Sequence, residues 1–150
     1  MREASPSAAT RSSALPGILL LATAVTTTGA LGPVGAAALL GILGAHEMGH
    51  FLVARRLGVP ASLPHFIPLP GLGVGTLGAV IAMGADRADR DQLIRIAAAG
   101  PLAGFVVAVP IFAIAVAAPA ELARLEGTVM TFGQSLLTAT LEAGLAAPAP

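Results

Sequence analysis

The sequence predicts an all-α membrane protein with about three transmembrane helices and a Gly/Pro-rich re-entrant or short β element between the second and the third. Composition is the first reason: 55% of the 150 residues are hydrophobic and 11% are charged, against about 25% charged residues in an average soluble domain. Second, the apolar residues form long runs, and about 20 such residues as a helix cross the roughly 30 Å hydrocarbon layer. Third, glycine and proline are concentrated in one stretch that cannot form a regular helix.

Charge and cysteine content exclude several classes of protein. The net charge is zero and lysine is absent, so the sequence shows no basic stripe of the kind expected in a nucleic-acid-binding protein. Cysteine is absent as well, which excludes disulfides, cysteine-ligated zinc and a cysteine nucleophile. The partner that the composition predicts is the lipid bilayer. The composition specifies no oligomeric state.

The N-terminal part of the chain predicts a polar tail and a first span. Residues 1–13 are small and polar and carry two arginines, as a cytoplasmic tail would. Residues 14–31 are apolar and predict the first transmembrane helix, and Gly32 and Pro33 predict the turn that follows it. A basic start, a short apolar stretch and a pair of small residues also fit a secretory signal peptide, which stays open as an alternative.

The second predicted span covers residues 34–53 and is closed by Arg55 and Arg56. Residues 58–84 are rich in glycine and proline and predict a re-entrant element that lines a site, because irregular backbone at membrane depth is tolerated only beside protein or a water-filled cavity. Within this stretch, residues 75–83 are rich in β-forming and small residues and predict a short strand or hairpin. An ordinary interfacial loop is the alternative.

A charged stretch separates this element from the third predicted span. Residues 85–95 carry alternating charges and predict a solvated loop that leads into a helix. The third span is expected at residues 96–118, with a kink at Pro110. Residues 119–150 are weakly amphipathic and predict no further span, so the membrane-embedded core is expected to cover residues 14–118.

The distribution of arginine predicts the orientation in the membrane. With a cytoplasmic N-terminus and three spans, seven of the eight arginines lie on the cytoplasmic side and only Arg124 lies outside. This arrangement obeys the positive-inside rule. It also places residues 46–50, near the end of the second span, toward the cytoplasmic face. The seven arginines are Arg2, Arg11, Arg55, Arg56, Arg87, Arg90 and Arg95.

One stretch of the second span, HEMGH at residues 46–50, carries metal-binding and acid–base chemistry. Residues four apart share one face of an α-helix, so His46 and His50 can present two imidazoles to one metal ion. Glu47 lies beside that face, where a carboxylate can take a proton from metal-bound water. The HExxH pattern is typical of zinc peptidases, in which zinc lowers the pKa of its water to about 7. Ionisable groups in an apolar span cost about 2.5 to 3.5 kcal/mol each, and a hydrated metal site compensates for that cost.

These features also have structural interpretations. The ionisable side chains of HEMGH could lie at the interface and reach water along their stems. Gly100 and Gly104 form a GxxxG pair, for which close helix packing is the favoured interpretation. GVGTLG at residues 73–78 formally matches a dinucleotide-binding pattern, but no βαβ unit surrounds it. His65 could be a third metal ligand or a substrate-site group, and a bystander role is favoured.

HEMGH, the Gly/Pro-rich stretch after it, GTLGAVIAM and AAAGPLAGF together resemble the site-2 protease family of intramembrane zinc metallopeptidases. The resemblance covers about residues 36–112. It implies that His46 and His50 bind zinc, as Zn²⁺, and that Glu47 is the catalytic base.

The same resemblance implies the surroundings of the site. Residues 66–83 would form a sheet-like, membrane-associated element near the substrate, and a turn at Gly100 and Pro101 would support the active-site core. Members of the family also resemble each other in an Asn-Pro stretch ending in Leu-Asp-Gly, whose aspartate supplies the third zinc ligand. Residues 119–150 show no match to it, and catalytic zinc generally takes three protein ligands.

Two functional hypotheses follow. The first is an intramembrane zinc endopeptidase that cleaves membrane-embedded or membrane-adjacent peptide segments, with this chain being an N-terminal part of a longer protease or a truncated copy. The second is a non-catalytic membrane scaffold that keeps the protease architecture and binds a partner helix. The unmatched third-ligand motif favours the second hypothesis for the chain alone. A small transporter subunit explains the ionisable residues but not their spacing.

Overall fold

The computed structural model describes residues 14–117, so the predictions for residues 1–13 and 119–150 lie outside the described residues. The described part consists of two long helices joined by a segment that contains a small sheet. In chain order the elements are α1 (Leu15–Arg56), β1 (His65–Pro68), β2 (Thr76–Val80), a short 3-10 helix (Ala85–Arg87) and α2 (Arg90–Ala117).

Helix α1 is broken in its middle at Gly32. Its 42 residues would extend about 63 Å as a straight helix, roughly twice the thickness of the hydrocarbon layer. Gly32 has φ 71° and ψ 171°, a conformation that glycine adopts without strain. Pro33 then starts the next helical stretch, where its missing N–H removes no helical hydrogen bond. The break divides α1 into an N-terminal arm, residues 15–31, and a C-terminal arm, residues 33–56.

The two arms fold back on each other. Leu20 of the N-terminal arm lines one cavity together with Leu40 and Gly44 of the C-terminal arm. A straight helix would place residues 20 and 44 about 36 Å apart. The chain therefore reverses direction at the Gly32 break, where the sequence predicts a turn.

The predicted count of three separate spans is not confirmed. Among residues 14–117 the structure has two helices that are long and apolar enough to cross a membrane, α1 and α2. The first two predicted spans are the two arms of α1. Helical geometry resumes directly after Gly32, because a single glycine accommodates the whole reversal and no loop separates the arms.

A β-hairpin occupies the Gly/Pro-rich segment, and this confirms a short β element, although its first strand lies before the predicted residues 75–83. A re-entrant element is not confirmed among residues 14–117. Strands β1 and β2 are antiparallel, with His65 opposite Val80 and Phe66 opposite Ala79, and the register shifts between Ile67 and Pro68. Proline cannot donate a ladder hydrogen bond, so an irregularity at that position is expected. The strands are too short to bury a core of their own, and β1 and β2 both contact α1.

The turn of the hairpin is fixed to the N-terminal arm of α1 through Gly75. The Thr26 hydroxyl donates a hydrogen bond of 2.7 Å to the Gly75 carbonyl. A Cβ at Gly75 would lie 2.7 Å from the Thr27 Cα and would overlap the Thr26 carbonyl, so only glycine permits this approach. The GVGTLG stretch thus forms a turn and a strand, and no dinucleotide-binding helix follows it.

Helix α2 begins at Arg90, earlier than the predicted span, because its first turn is capped. The Gln92 N–H donates to the Asp89 carboxylate at 2.8 Å, and the Asp89 N–H donates to the Gln92 side chain at 3.0 Å. This reciprocal pair is a capping box. The turn expected at Gly100 and Pro101 is wrong, because the helix continues through both residues. Neighbouring elements in a membrane protein can satisfy the carbonyl that a proline leaves free. Pro110 does not interrupt the helix either.

The outer surfaces of the two helices are apolar. Leu21 and Val106, for example, are 68% and 71% exposed. Long helices that expose large aliphatic side chains are typical of lipid surroundings, whereas the core helix of a soluble protein buries them. The described large apolar residues exposed on α1 and α2 are Leu15, Ile18, Leu20, Leu21, Val25, Met48, Leu52, Ile94, Leu102, Phe105, Val106 and Ile114.

The end of α1 and the start of α2 are held together by a small apolar cluster of Ala54, Val59 and Ile96. The Gln92 side-chain amide donates a hydrogen bond of 3.3 Å to the Leu57 carbonyl, which joins the same two ends. All five described arginines therefore lie near one end of the molecule, since they flank this cluster in sequence. They are Arg55, Arg56, Arg87, Arg90 and Arg95.

Candidate metal centre

The structure brings the two histidines of HEMGH together on the face of the C-terminal arm that packs on α2. The His46 and His50 ring centroids are 4.8 Å apart with an angle of 74° between the ring planes. Their Nε2 atoms are 3.1 Å apart. This convergence follows from helix geometry, because residues four apart lie one above the other. Both side chains are half-buried.

Glu47 lies next to this pair and is buried. It is 9% exposed, and it lies about 60° from His50 around the helix axis. None of the hydrogen bonds found among residues 14–117 uses its carboxylate. A buried carboxylate with free lone pairs is able to accept a proton or a hydrogen bond from a bound molecule.

Helix α2 forms the wall against which the two rings lie. The His50 Nδ1 atom is 2.7 Å from the Ile96 carbonyl oxygen. A Cβ at Gly100 would overlap the His50 ring, and a Cβ at Gly104 would lie 3.3 Å from the His46 Cβ. The Ile96 carbonyl could not be predicted from the sequence, because every residue type carries the same backbone acceptor.

The paired nitrogens fit two ligands of a zinc ion. Zinc binds imidazole nitrogen at 2.0–2.1 Å in a tetrahedral arrangement, which places two nitrogen ligands about 3.3 Å apart. The observed 3.1 Å between the Nε2 atoms is close to that separation. Within residues 14–117, no third histidine, aspartate or glutamate joins them as a metal-binding group. His65 begins β1 and pairs with Val80, so the structure does not bring it to this pair.

A separate apolar cavity of about 510 Å³ lies on the other side of the same helix. Gly44 and Met48, which line this cavity, each lie about 160° from His46 around the helix axis, on either side of it. Phe66 of β1 and Leu20 of the N-terminal arm also line it. The cavity and the histidine pair are therefore on opposite faces of one helix.

Apolar helices, one of which carries HExxH with converged imidazoles, define the class of membrane-associated metallopeptidase-like proteins. A family comparison specifies it further: the model of peptidase family M50, the site-2 proteases, matches residues 34–146. The match covers well over half of the chain, and the chain belongs to this family. The resemblance expected from the sequence motifs is confirmed. Family membership and the two apolar helices together indicate a membrane location.

Curated relatives share the same region. The chain is 41% identical over 78 residues to a protein of Arabidopsis thaliana named probable zinc metalloprotease EGY2, chloroplastic; the aligned region is 52% of this chain and 14% of the relative. It is 41% identical over 75 residues to the Arabidopsis thaliana protein named probable zinc metalloprotease EGY1, chloroplastic, covering 50% of this chain and 13% of the relative. The chain thus aligns with a small part of each relative. No solved structure matches it.

Proposed function

We propose that this chain carries the zinc site of an intramembrane endopeptidase that cleaves membrane-embedded or membrane-adjacent peptide segments. The observation that carries the proposal is the convergence of two imidazole nitrogens, 3.1 Å apart, beside a buried glutamate within an apolar helix. Family membership and the printed names of the relatives support the same chemistry.

In this proposal His46 and His50 hold the metal through their Nε2 atoms. When bound, zinc would polarise a water molecule and lower its pKa to about 7. A third protein ligand would come from a group outside residues 14–117, because catalytic zinc sites use three protein ligands and one open position.

Glu47 is the proposed general base and general acid. Its carboxylate takes a proton from the water that attacks the peptide carbonyl carbon, and it then gives the proton to the leaving amide nitrogen. Glu47 is only 9% exposed, and this partial burial strengthens the electrostatic interactions of its carboxylate with neighbouring groups. Glu47 can serve this role because no other described group occupies its lone pairs.

The test compares three substitutions in the full chain reconstituted in lipid. Zinc content is measured by elemental analysis, and cleavage is measured with a panel of tagged single-span membrane proteins. We expect Glu47→Gln to keep stoichiometric zinc and lose cleavage, because the amide cannot accept the proton. We expect His50→Ala to lose zinc. Met48→Ala is the matched control, because Met48 lies on the cavity side of the same helical turn. It should leave the zinc content unchanged.

Two results would contradict the proposal. Cleavage by the Glu47→Gln variant would remove Glu47 from the mechanism, and zinc retained in full by His50→Ala would remove the histidine pair from the metal site. An unsubstituted chain without zinc and without cleavage would instead favour the partner-binding scaffold.

We also propose that the arginine-rich end of the molecule, and with it the end of α1 that carries HEMGH, faces the cytoplasm. The proposal is supported by the position of the five described arginines at one end of the helices, which the positive-inside rule assigns to the cytoplasmic side.

Single cysteines test this orientation cleanly, because the chain has no cysteine of its own. Asp86→Cys lies at the arginine-rich end and Pro33→Cys lies at the break of α1, and both positions are exposed. We expect a membrane-impermeant thiol reagent to label Asp86→Cys from the cytoplasmic side and Pro33→Cys from the opposite side. The reversed pattern would overturn the orientation.

A further inference from the structure

The nearest neighbours of the Gly100–Gly104 pair of α2 are side-chain atoms of the two histidines. A Cβ at Gly100 would overlap the Nε2, Cε1 and Cδ2 atoms of His50, and the atoms closest to a Cβ at Gly104 belong to His46. Both glycines are buried. The space that each glycine leaves is thus filled by imidazole or by the first carbon of its side chain.

Close approach of the two helix backbones is achieved by a different glycine, on α1. A Cβ at Gly49 would lie 2.5 Å from the Ala99 carbonyl oxygen and 2.8 Å from the Ala103 Cβ. Gly49 is therefore the small residue that permits helix packing, as small residues do in membrane helix pairs. The role of Gly100 is separate from it, since Gly100 accommodates a ring.

The backbone of α2 also orients that ring. The Ile96 carbonyl oxygen can only accept a hydrogen bond, so its 2.7 Å contact with His50 requires the proton of the neutral ring to be on Nδ1. The Nε2 atom then carries the lone pair, and it faces the Nε2 atom of His46 at 3.1 Å. Metal-binding histidines commonly have their second nitrogen held in this way, which fixes the tautomer and the ring orientation.

His46 is in a different situation. Because His50 Nε2 has no proton, the 3.1 Å contact between the two rings makes His46 Nε2–H the donor. Metal binding through both Nε2 atoms would therefore leave the His50 proton on Nδ1 and move the His46 proton from Nε2 to Nδ1. The two ligands are not equivalent: α2 sets the tautomer of one of them in advance.

We propose that Gly100 and the Ile96 carbonyl are positioning groups that hold His50 with Nδ1 protonated and Nε2 directed at His46 before any metal binds. The inference rests on the proposed function only in naming the metal that the nitrogen would bind. Preorganisation of this kind reduces the free energy needed to order the ligand on binding.

The experiment observes the imidazole nitrogens of the full chain in detergent micelles by ¹⁵N NMR, first without metal and then with added zinc. In the metal-free chain we expect the Nδ1–H tautomer at His50 and the Nε2–H tautomer at His46. Zinc should change the tautomer of His46 and leave that of His50 unchanged. An Nε2–H tautomer at His50 in the metal-free chain would overturn the proposal, and this measurement needs no substituted protein.

Two variants then separate positioning from packing. Gly100→Ala should expel the His50 ring, abolish its fixed tautomer and weaken zinc affinity by about 10- to 100-fold, as loss of an outer-shell partner typically does. Gly104→Ala is the matched control on the same helix, because its Cβ would lie 3.3 Å from His46 Cβ, a contact that a small shift relieves. It should keep the His50 tautomer. Equal loss of the tautomer in both variants would mean general helix disruption and would overturn the proposal.

The result also distinguishes this inference from the proposed function. A chain that shows the expected tautomers and loses the His50 tautomer in Gly100→Ala, but binds no zinc, would retain the positioning role and contradict the zinc site. Zinc binding by a chain whose His50 tautomers exchange freely would support the zinc site and contradict the positioning role.

Discussion

Two of the glycine contacts between α1 and the rest of the described chain, at Gly75 and Gly100, differ in what the neighbouring polar group does. Gly100 accommodates the His50 ring, and Gly75 accommodates the backbone at Thr26, so that a Cβ at either glycine would overlap its neighbour. His50 uses only one nitrogen for α2 and directs the other at His46. The Thr26 hydroxyl is occupied by the Gly75 carbonyl at 2.7 Å.

This difference distinguishes the proposed metal site from a purely structural contact. At Gly75 the polar groups are used within the protein, and the result is attachment of the hairpin to α1. At Gly100 the Nε2 atom of His50 is partly buried, and among the described residues the only protein group it faces is the Nε2 atom of His46. A partly buried nitrogen with so few protein partners is suited to bind a further group. Changes at the hairpin contact should therefore affect stability and leave zinc binding intact.

The largest effect is expected from Gly75→Ala. Gly75 has φ +83° and its Cβ would overlap Thr26, whereas Gly73 has φ +55° with nothing within 4 Å. The unfavourable backbone conformation costs roughly 1–2 kcal/mol, and overlap with fixed backbone adds about 1–3 kcal/mol. Gly75→Ala should lower the free energy of unfolding in mixed micelles by both amounts, and the control Gly73→Ala by the first alone. Similar losses in the two variants would show that Gly75 is not tightly packed on α1.

A smaller effect is expected from Thr26→Val. Valine keeps the shape of the side chain and removes the hydroxyl that donates to the Gly75 carbonyl. Losing this partly buried hydrogen bond should lower the free energy of unfolding by about 1 kcal/mol. The exposed Thr28→Val is the control and should be nearly neutral. Zinc content is measured in parallel. Unchanged zinc in Thr26→Val would support a purely structural role for the Gly75 contact, and loss of zinc would contradict it.

The smallest effect has the opposite sign. Thr27 is fully buried, and within residues 14–117 its hydroxyl has no hydrogen-bond partner. Removing an unsatisfied buried hydroxyl while keeping the volume is nearly neutral or stabilising, so Thr27→Val should raise the free energy of unfolding by up to about 1 kcal/mol. A loss of stability in the same unfolding measurement would show that the hydroxyl is used.

Much of the site could be predicted from the sequence, because its geometry is local. The spacing of His46 and His50 already places both rings on one helix face, since the α-helix repeats every 3.6 residues. The Gly32–Pro33 reversal and strand β2 were predictable for the same reason: glycine, proline and β-forming residues limit the backbone within a few positions. Strand β1 lies before the predicted residues 75–83. A solvated loop was expected where α2 begins. The sequence does contain a signal for the early start, because Asp89 and Gln92 have the spacing of a capping box.

The sequence alone therefore determined the apolar helices, the reversal and the paired imidazoles, since each depends on neighbouring residues and on the preference of apolar side chains for lipid. Three contacts depend on tertiary packing instead: the Gly100–Gly104 pair lies against the two histidines, the helix backbones approach at Gly49, and the Ile96 carbonyl contacts His50. These contacts join residues about fifty positions apart. A backbone carbonyl is also the same in every residue type, so its choice as a partner follows from packing alone.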